Sequence, residues 1–374
     1  MEKKKEGLAD IVALDSEICF LDGVNARLAY RGYDINDLAA NCTFEEVAYL
    51  LFYRELPNKK QLSAFSRKLR EHRKLSPKVL AFLKSLPKKT PPMEALRTAV
   101  SVLAAYDREA ETMTLEANQH KAIRLLSQTA TLVAAFDRIS AGKRPVTPDT
   151  KLSHAENFLY MVHGKKPDKE TAHMFDVALI LHADHELNAS TFAGRVTAAT
   201  LSDMHSAVTS AIGALKGPLH GGANARVMRM LLEIKNPKNL EKYIQGKLDR
   251  HEKIMGFGHR VYGLNGDPRA KILIKFSKRM GEKTKEPKWY EMSTAIEKMI
   301  WEQKQLRPNV DFYSASTYHY MGLHTEIFTP IFAISRMSGW IAHILEQYDH
   351  NRLIRPRAEY VGVKSRKVVP LAKR

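Results

Sequence analysis

Thr43-Phe44-Glu45-Glu46-Val47-Ala48-Tyr49-Leu50-Leu51 is the stretch that decides the fold class. Thr43 with Glu46 three positions later is a capping-box pattern, in which each side chain satisfies a backbone N–H at the start of a helix. Behind it Phe44, Val47, Leu50 and Leu51 recur at helical spacing and share one face. Ser153 with Glu156 repeats the pattern, and Gly164 offers a left-handed stop. Leu201 to Leu215 carries a long helical period with Ser202 as its cap. Asp267-Pro268 puts a cap and an N1 proline ahead of a helix running to about Met280. Strand-like alternation is scarce. Ile18 to Leu21 and Leu28 to Tyr30, on either side of Asp22-Gly23-Val24-Asn25, read as a small hairpin. There is no internal repeat and no βαβ rhythm. The expectation is a mostly α protein with a small N-terminal β-hairpin.

The chain has 374 residues, enough for two to three units of roughly 150 residues each. With 44% hydrophobic and 27% charged residues it reads as soluble and globular, which excludes disordered and collagenous classes. Two cysteines, Cys19 and Cys42, build neither a disulfide framework nor a Cys-ligated zinc site. They fit a reducing, cytoplasmic compartment. The charge of +18 admits nucleic acid, a membrane surface or anionic substrates as partners, beside the plainer reading of a basic solvated surface. The longest basic run is Lys3 to Lys5, and no aromatic-interleaved stripe accompanies the charge, so no nucleic acid is expected. No apolar segment follows the start MEKKKEGLAD. The most apolar run, Ile327 to Leu345, is interrupted by Pro330, Arg336 and His343, so no membrane span is expected.

Three segments join an ionisable residue to loop formers. In Lys216-Gly217-Pro218-Leu219-His220-Gly221-Gly222-Ala223-Asn224 the glycines let backbone approach a ligand, and helical residues follow. A histidine near a helix N-terminus is disfavoured as imidazolium and suits a neutral donor to a developing oxyanion. Taken alone, His220 is equally a capping or core histidine. Met255-Gly256-Phe257-Gly258-His259-Arg260-Val261-Tyr262 does not follow a strand, so a dinucleotide fingerprint fails; it sets His259 in a glycine turn ten positions ahead of Arg269. In Asn309-Val310-Asp311-Phe312-Tyr313-Ser314 the acid is either a helix cap or a working carboxylate. His182 and His185 stand three apart, but no further ligand motif supports a metal, and none is expected. Arg336 interrupts its apolar run and invites a buried anion.

Together GPLHGGAN, MGFGHRVY with DPRA, NVDFYSAS and FTPIFAISRMSGWIAHILEQ with RLIRPR resemble the citrate synthase family in order and spacing, from Gly7 to about Gly362. The likeness is nearest to the short bacterial type. It implies a dimer with a large helical domain, residues 1–216 and 325–374, and a small closing domain, residues 217–324. It also implies that acetyl-CoA condenses with oxaloacetate and that citryl-CoA is hydrolysed, with acetyl-CoA a substrate and no cofactor. Asp311 would take the methyl proton, His220 would hydrogen-bond the thioester oxygen, and His259 would donate to the ketone. Arg269, Arg336 and Arg355 would hold oxaloacetate with help from His185, Arg355 reaching across a homodimer interface. Gly256, Phe257 and Gly258 would line the adenine of CoA. The chemistry needs such a division: a base alone contributes about 10²–10⁴, one oxyanion donor about 2.7–4 kcal/mol, and arginine offers the planar fork that a carboxylate matches.

Two departures from the family pattern stand out. Gly263-Leu264-Asn265-Gly266 is one residue longer than usual and lacks the usual cation for CoA phosphate, so that either phosphate affinity is weaker or Arg260 or a lysine substitutes. Ala225-Arg226 stands where Glu-Ala is common, close to His220. The alternatives are 2-methylcitrate synthase acting on propionyl-CoA through the same residues and, more distantly, a non-catalytic basic binding protein on this fold. One methylene discriminates acyl groups by only about 1–3 kcal/mol.

Overall fold

The computed structural model describes residues 6–8, 11–259 and 261–374; Lys3 to Lys5 and Arg260 lie outside the described residues. Among them the chain is helical with one small sheet. The strands are β1 (Cys19–Asp22), β2 (Arg27–Tyr30) and β3 (Tyr33–Asp34), antiparallel in that order, with Cys19 opposite Tyr30 and Ala29 opposite Asp34. The expected hairpin is present, extended by a third strand of two residues, too short to leave an alternation in the sequence.

The first ten helices are α1 (Ile35–Asn41), α2 (Phe44–Tyr53), α3 (Lys59–Glu71), α4 (Pro77–Ser85), α5 (Pro92–Ala104), α6 (Leu115–Ser140), α7 (His154–His163), α8 (Lys169–His182), α9 (Ala189–Ala198) and α10 (Met204–Lys216). Six more follow: α11 (Ala223–Ile234), α12 (Leu240–Asp249), α13 (Pro268–Thr284), α14 (Lys288–Lys304), α15 (Val310–Tyr320) and α16 (Phe328–Asp349). Their ends obey local chemistry. The capping boxes at Thr43 and Ser153 form as expected, and Gly164 closes α7 in the left-handed conformation at φ 76°. Such a cap is worth about 1 kcal/mol. The start of α10 differs from expectation. Asp203, not Ser202, is the cap, its carboxylate accepting from Ser206 N–H at 3.0 Å. A full negative charge at a helix N-terminus gains from the dipole as well as from the hydrogen bond.

Helix α16 organises the core. It packs on α2, α5, α6, α8, α9 and α10, and its side chains are buried around the whole circumference from Phe328 to Gln347. The apolar run that stopped short of a membrane span is therefore a central helix, as an all-round hydrophobic helix must be. No described helix is long and apolar enough to cross a membrane. Helices α11 to α15 pack largely on one another and meet the rest through α11 on α16 and α13 on α1 and α8. The segments carrying the candidate residues lie where these two groups of helices face each other.

Candidate active site

His220 sits in the turn between α10 and α11, held by His220 N–H to Gly217 O at 2.9 Å. Gly222, at φ 77°, caps α11 in the left-handed region that glycine tolerates. The ring is fixed from the start of α9: Ser190 Oγ lies 2.8 Å from His220 Nε2, and Ser190 backbone N–H points at the same nitrogen at 3.3 Å. A backbone N–H can only donate, so Nε2 accepts and the ring proton belongs on Nδ1. Ser190 is itself braced by Trp340 Nε1–H from α16 at 3.1 Å. Burial, with Arg336 next in effect, pushes the His220 pKa down to about 4. Neutral at physiological pH, it is an N–H donor.

His259 follows Gly258, whose φ of 77° turns the chain. Its Nδ1 accepts from Val261 N–H at 3.0 Å and Tyr262 N–H at 3.4 Å, which leaves the proton on Nε2. Burial and then Arg269 lower its pKa to about 4. His185, just past α8, stacks edge-on to His259 with ring centroids 5.1 Å apart, and its Nε2 is 3.1 Å from Tyr262 Oη. Burial holds His185 well below the usual histidine range. His182 does not share a ligand position with it: His182 Nδ1 bonds Ala178 O at 2.7 Å inside its own helix.

Asp311 is the second residue of α15, its N–H held by Asn309 Oδ1 at 3.1 Å. It is half-buried. Burial raises its pKa to about 6, against the pull of Arg269. Of the two inferred readings, cap and working carboxylate, the structure gives the cap to Asn309. Arg269 opens α13, buried, with Nε and Nη2 on the two oxygens of Asp267 at 2.9 and 2.8 Å. Asp267 also caps α13 and accepts from Val310 N–H at 3.0 Å, so one carboxylate ties the starts of α13 and α15. Arg336 is buried in α16 with Nε donating to His182 O at 2.8 Å. Arg355 is not brought to this group; it is exposed in the extended chain after α16.

The segment Gly256-Phe257-Gly258 is clipped to the approach to Asp311. Asn309 N–H donates to Gly256 O at 2.9 Å and Asn309 Nδ2 to Gly258 O at 3.0 Å. Gly256 is glycine for packing: a Cβ there would meet Phe312 at 2.8 Å and Val227 at 2.9 Å. The two departures also find places. Arg226 Nη2 donates to Pro218 O at 2.9 Å and Gly221 O at 3.0 Å, gripping the His220 turn. Asn265 Nδ2 reaches Val24 O at 2.7 Å. Ser190 and Tyr262 carry no local signal that marks them as site residues. Asp267 alone had a local signal, its spacing of two from Arg269.

Arg336 acts on the charges of His220 and Asp311, and Arg269 on those of His259 and Asp311, which places two neutral imidazoles, a carboxylate of raised pKa and two buried guanidinium groups near one another. The grouping suits removal of a proton next to a carbonyl, with donors for the oxygen that gains charge and cations for an anionic co-substrate.

A family profile described as "Citrate synthase, C-terminal domain" matches residues 7–357. The chain is 54% identical to "Citrate synthase 2" of Bacillus subtilis (strain 168), over 98% of each chain. It is 47% identical to a "2-methylcitrate synthase" of Shewanella oneidensis, over 93% of this chain and 92% of that one. Among solved structures it is similar to the ternary complex of carboxymethyl coenzyme A and oxaloacetate with citrate synthase from Thermoplasma acidophilum. That likeness has a TM-score of 0.93 at 34% identity, covering 100% of both chains.

Proposed function

The chain belongs to the citrate synthase family, and from that premise we propose that it condenses acetyl-CoA with oxaloacetate and hydrolyses citryl-CoA to citrate and CoA. The observation that carries the reading is the pairing of two histidines that are neutral at physiological pH and fixed in tautomer, His220 and His259, with a carboxylate, Asp311, whose pKa is raised to about 6.

Each residue then has one task. Asp311 takes a proton from the acetyl methyl while His220 Nδ1–H bonds the thioester oxygen as it becomes an enol. The enol carbon attacks the oxaloacetate ketone, whose oxygen receives the proton of His259 Nε2, and the proton taken up by Asp311 restores that of the histidine through solvent before the next turnover. Water then cleaves the thioester, releasing CoA as the thiol. Arg269, Arg336 and His185 hold the oxaloacetate carboxylates. Arg355 joins them from a second copy of the chain in a homodimer, which agrees with its exposure on the tail of this one. Gly256, Phe257 and Gly258 border the CoA adenine. The packing of α11 to α15 on one another supports residues 217–324 as a small domain that closes on the remainder, 1–216 and 325–374. The free thiols Cys19 and Cys42 agree with a cytoplasmic setting.

The relative named 2-methylcitrate synthase favours a second reading, in which propionyl-CoA is accepted by the same residues. CoA thiol release with oxaloacetate, compared between acetyl-CoA and propionyl-CoA, separates the two. The expected result is a higher kcat/KM on acetyl-CoA, lost in Asp311→Ala. A preference for propionyl-CoA moves the assignment to the second reading. Absence of oxaloacetate-dependent release with either defeats both.

A further inference from the structure

The turn between β1 and β2 contains a glycine with no conformational need to be one. Gly23 lies outside the left-handed region; the residue of the turn that enters it is Ala26, at φ 52°. What excludes a side chain at Gly23 is the loop after His259. A Cβ there would stand 2.0 Å from Val261 O, 2.7 Å from its carbonyl carbon and 2.8 Å from Val261 Cγ1. Two backbones touch, and neither yields as a side chain would. Beside this contact Asn265 Nδ2 donates to Val24 O at 2.7 Å, joining positions 241 apart in sequence.

Both partners are stiff. Asp22 accepts from Val24 N–H and Asn25 N–H at 3.0 Å each and from Asn25 Nδ2 at 2.7 Å, so the turn is shaped before it touches anything. On the other side Gly266 N–H bonds Gly263 O at 3.1 Å and Arg307 Nε reaches Leu264 O at 3.4 Å. Val261, on which the turn presses, supplies the N–H that fixes the His259 tautomer, and the next residue, Tyr262, meets His185. The contact lies at the rim: Val24 is 80% and Leu264 67% exposed. Being small and solvent-facing, it is able to open and reform.

We propose that the Asp22–Asn25 turn is a strap seated on the Val261–Gly266 loop, holding His259 against the oxaloacetate site, with Gly23 and Asn265 as positioning residues. The lengthened loop after Tyr262, which lacks the expected phosphate cation, is then used to fasten the oxaloacetate side of the cleft. This rests on the reading of His259 as the donor to oxaloacetate.

The test compares Gly23→Ala and Asn265→Ala with the wild-type chain in three measurements: KM for each substrate, melting temperature, and amide exchange of residues 259–266 with and without oxaloacetate. The expected result is an oxaloacetate KM raised about 3- to 10-fold, the effect of one lost hydrogen bond. The acetyl-CoA KM and melting temperature stay near wild type, and the Val261 and Tyr262 amides exchange faster. Wild-type oxaloacetate KM and exchange in both variants overturn the strap. So does an equal rise in both KM values with a lower melting temperature, which marks plain structural damage. If Gly23→Ala does not fold, Asn265→Ala decides alone. If the wild-type chain shows no oxaloacetate-dependent turnover, the proposed function fails instead, and exchange without substrate still decides the strap.

Discussion

Arg269 and Arg336 are both buried, both in the same cleft, and held in opposite ways. Arg269 spends Nε and Nη2 on Asp267, two residues before it. Burial works against both charges. Mutual attraction nevertheless holds the Asp267 carboxyl below its usual range and the guanidinium above its own. Arg336 has a carbonyl, His182 O, and the face of Phe332, with the guanidinium carbon 4.6 Å from the ring centre. Among the described residues no acid lies within ion-pair distance of it; Asp184 acts on its charge from farther away and is engaged by His343 at 3.3 Å. Burial accordingly lowers the Arg336 pKa. A neutralised fork and an under-compensated cation teach different things. The first secures two helix starts and offers a substrate only its remaining edge, whereas the second carries an unmet demand for an anion.

The largest effect that tests this contrast is on folding. Asp267→Ala strands Arg269 and removes a cap, and a loss of about 3–5 kcal/mol in denaturant unfolding is expected; a loss below about 1 kcal/mol would mean that the pair is not the clamp described. Next, Arg336→Ala lowers kcat/KM for oxaloacetate by about 2–5 kcal/mol in equivalent free energy, with much less change in unfolding free energy than Asp267→Ala. The reverse pattern, lost stability with intact kinetics, would exchange the roles of the two arginines. Gly339→Ala probes the Arg336 side indirectly. Its Cβ would lie 2.3 Å from Asp184 Oδ1 and 2.4 Å from Ala183 O, so the 183–185 turn must shift. The expected cost is about 1–3 kcal/mol, with a raised oxaloacetate KM, and an unchanged melting temperature counts against it.

The smallest effect is on pH dependence. His154 and His182 are neutral with pKa values of about 3, mainly from burial, and His220 and His259 with values of about 4. The unfolded value is about 6.5, so the unfolded chain binds more protons below it. Stability is therefore full above pH ~6.5 and falls as pH drops toward ~3–4, by up to about 1.4 kcal/mol per pH unit for each group. Activity follows Asp311, falling about tenfold per unit below its pKa of about 6 and levelling above it. An activity profile flat down to pH 5 would exclude Asp311 as a base with that pKa. Its own raised pKa acts on stability in the opposite sense, favouring the fold below about 6.

Short-range chemistry was legible in the sequence. Capping boxes at Thr43 and Ser153, the stop at Gly164 and the Asp267-Pro268 start all depend on neighbours within four positions, and all form. The α10 start differs from the sequence expectation because Ser202 and Asp203 are both eligible caps, and only the geometry of Ser206 N–H selects between them. His220, His259 and Asp311 were visible through their motifs and the family resemblance. What surrounds them was not. Ser190 lies 30 positions from His220, Tyr262 77 from His185, and Arg336 154 from the carbonyl it binds. No local period or motif carries such pairings. The two departures announced themselves only as mismatches. Arg226 is a brace on the His220 turn, and Asn265 reaches the hairpin.

Central helix α16 has a consequence for the birth of the molecule. Asp184 and its partner His343 are 159 positions apart, and a ribosome adds roughly 5–20 residues per second. The acid, with His182 and His185 beside it, therefore leaves the exit tunnel roughly 8–30 s before the helix that will enclose it. Throughout that interval the apolar faces of α8, α9 and α10 have no lid. The stretch from about residue 170 to 330 is therefore made while the faces that α16 will cover still meet solvent.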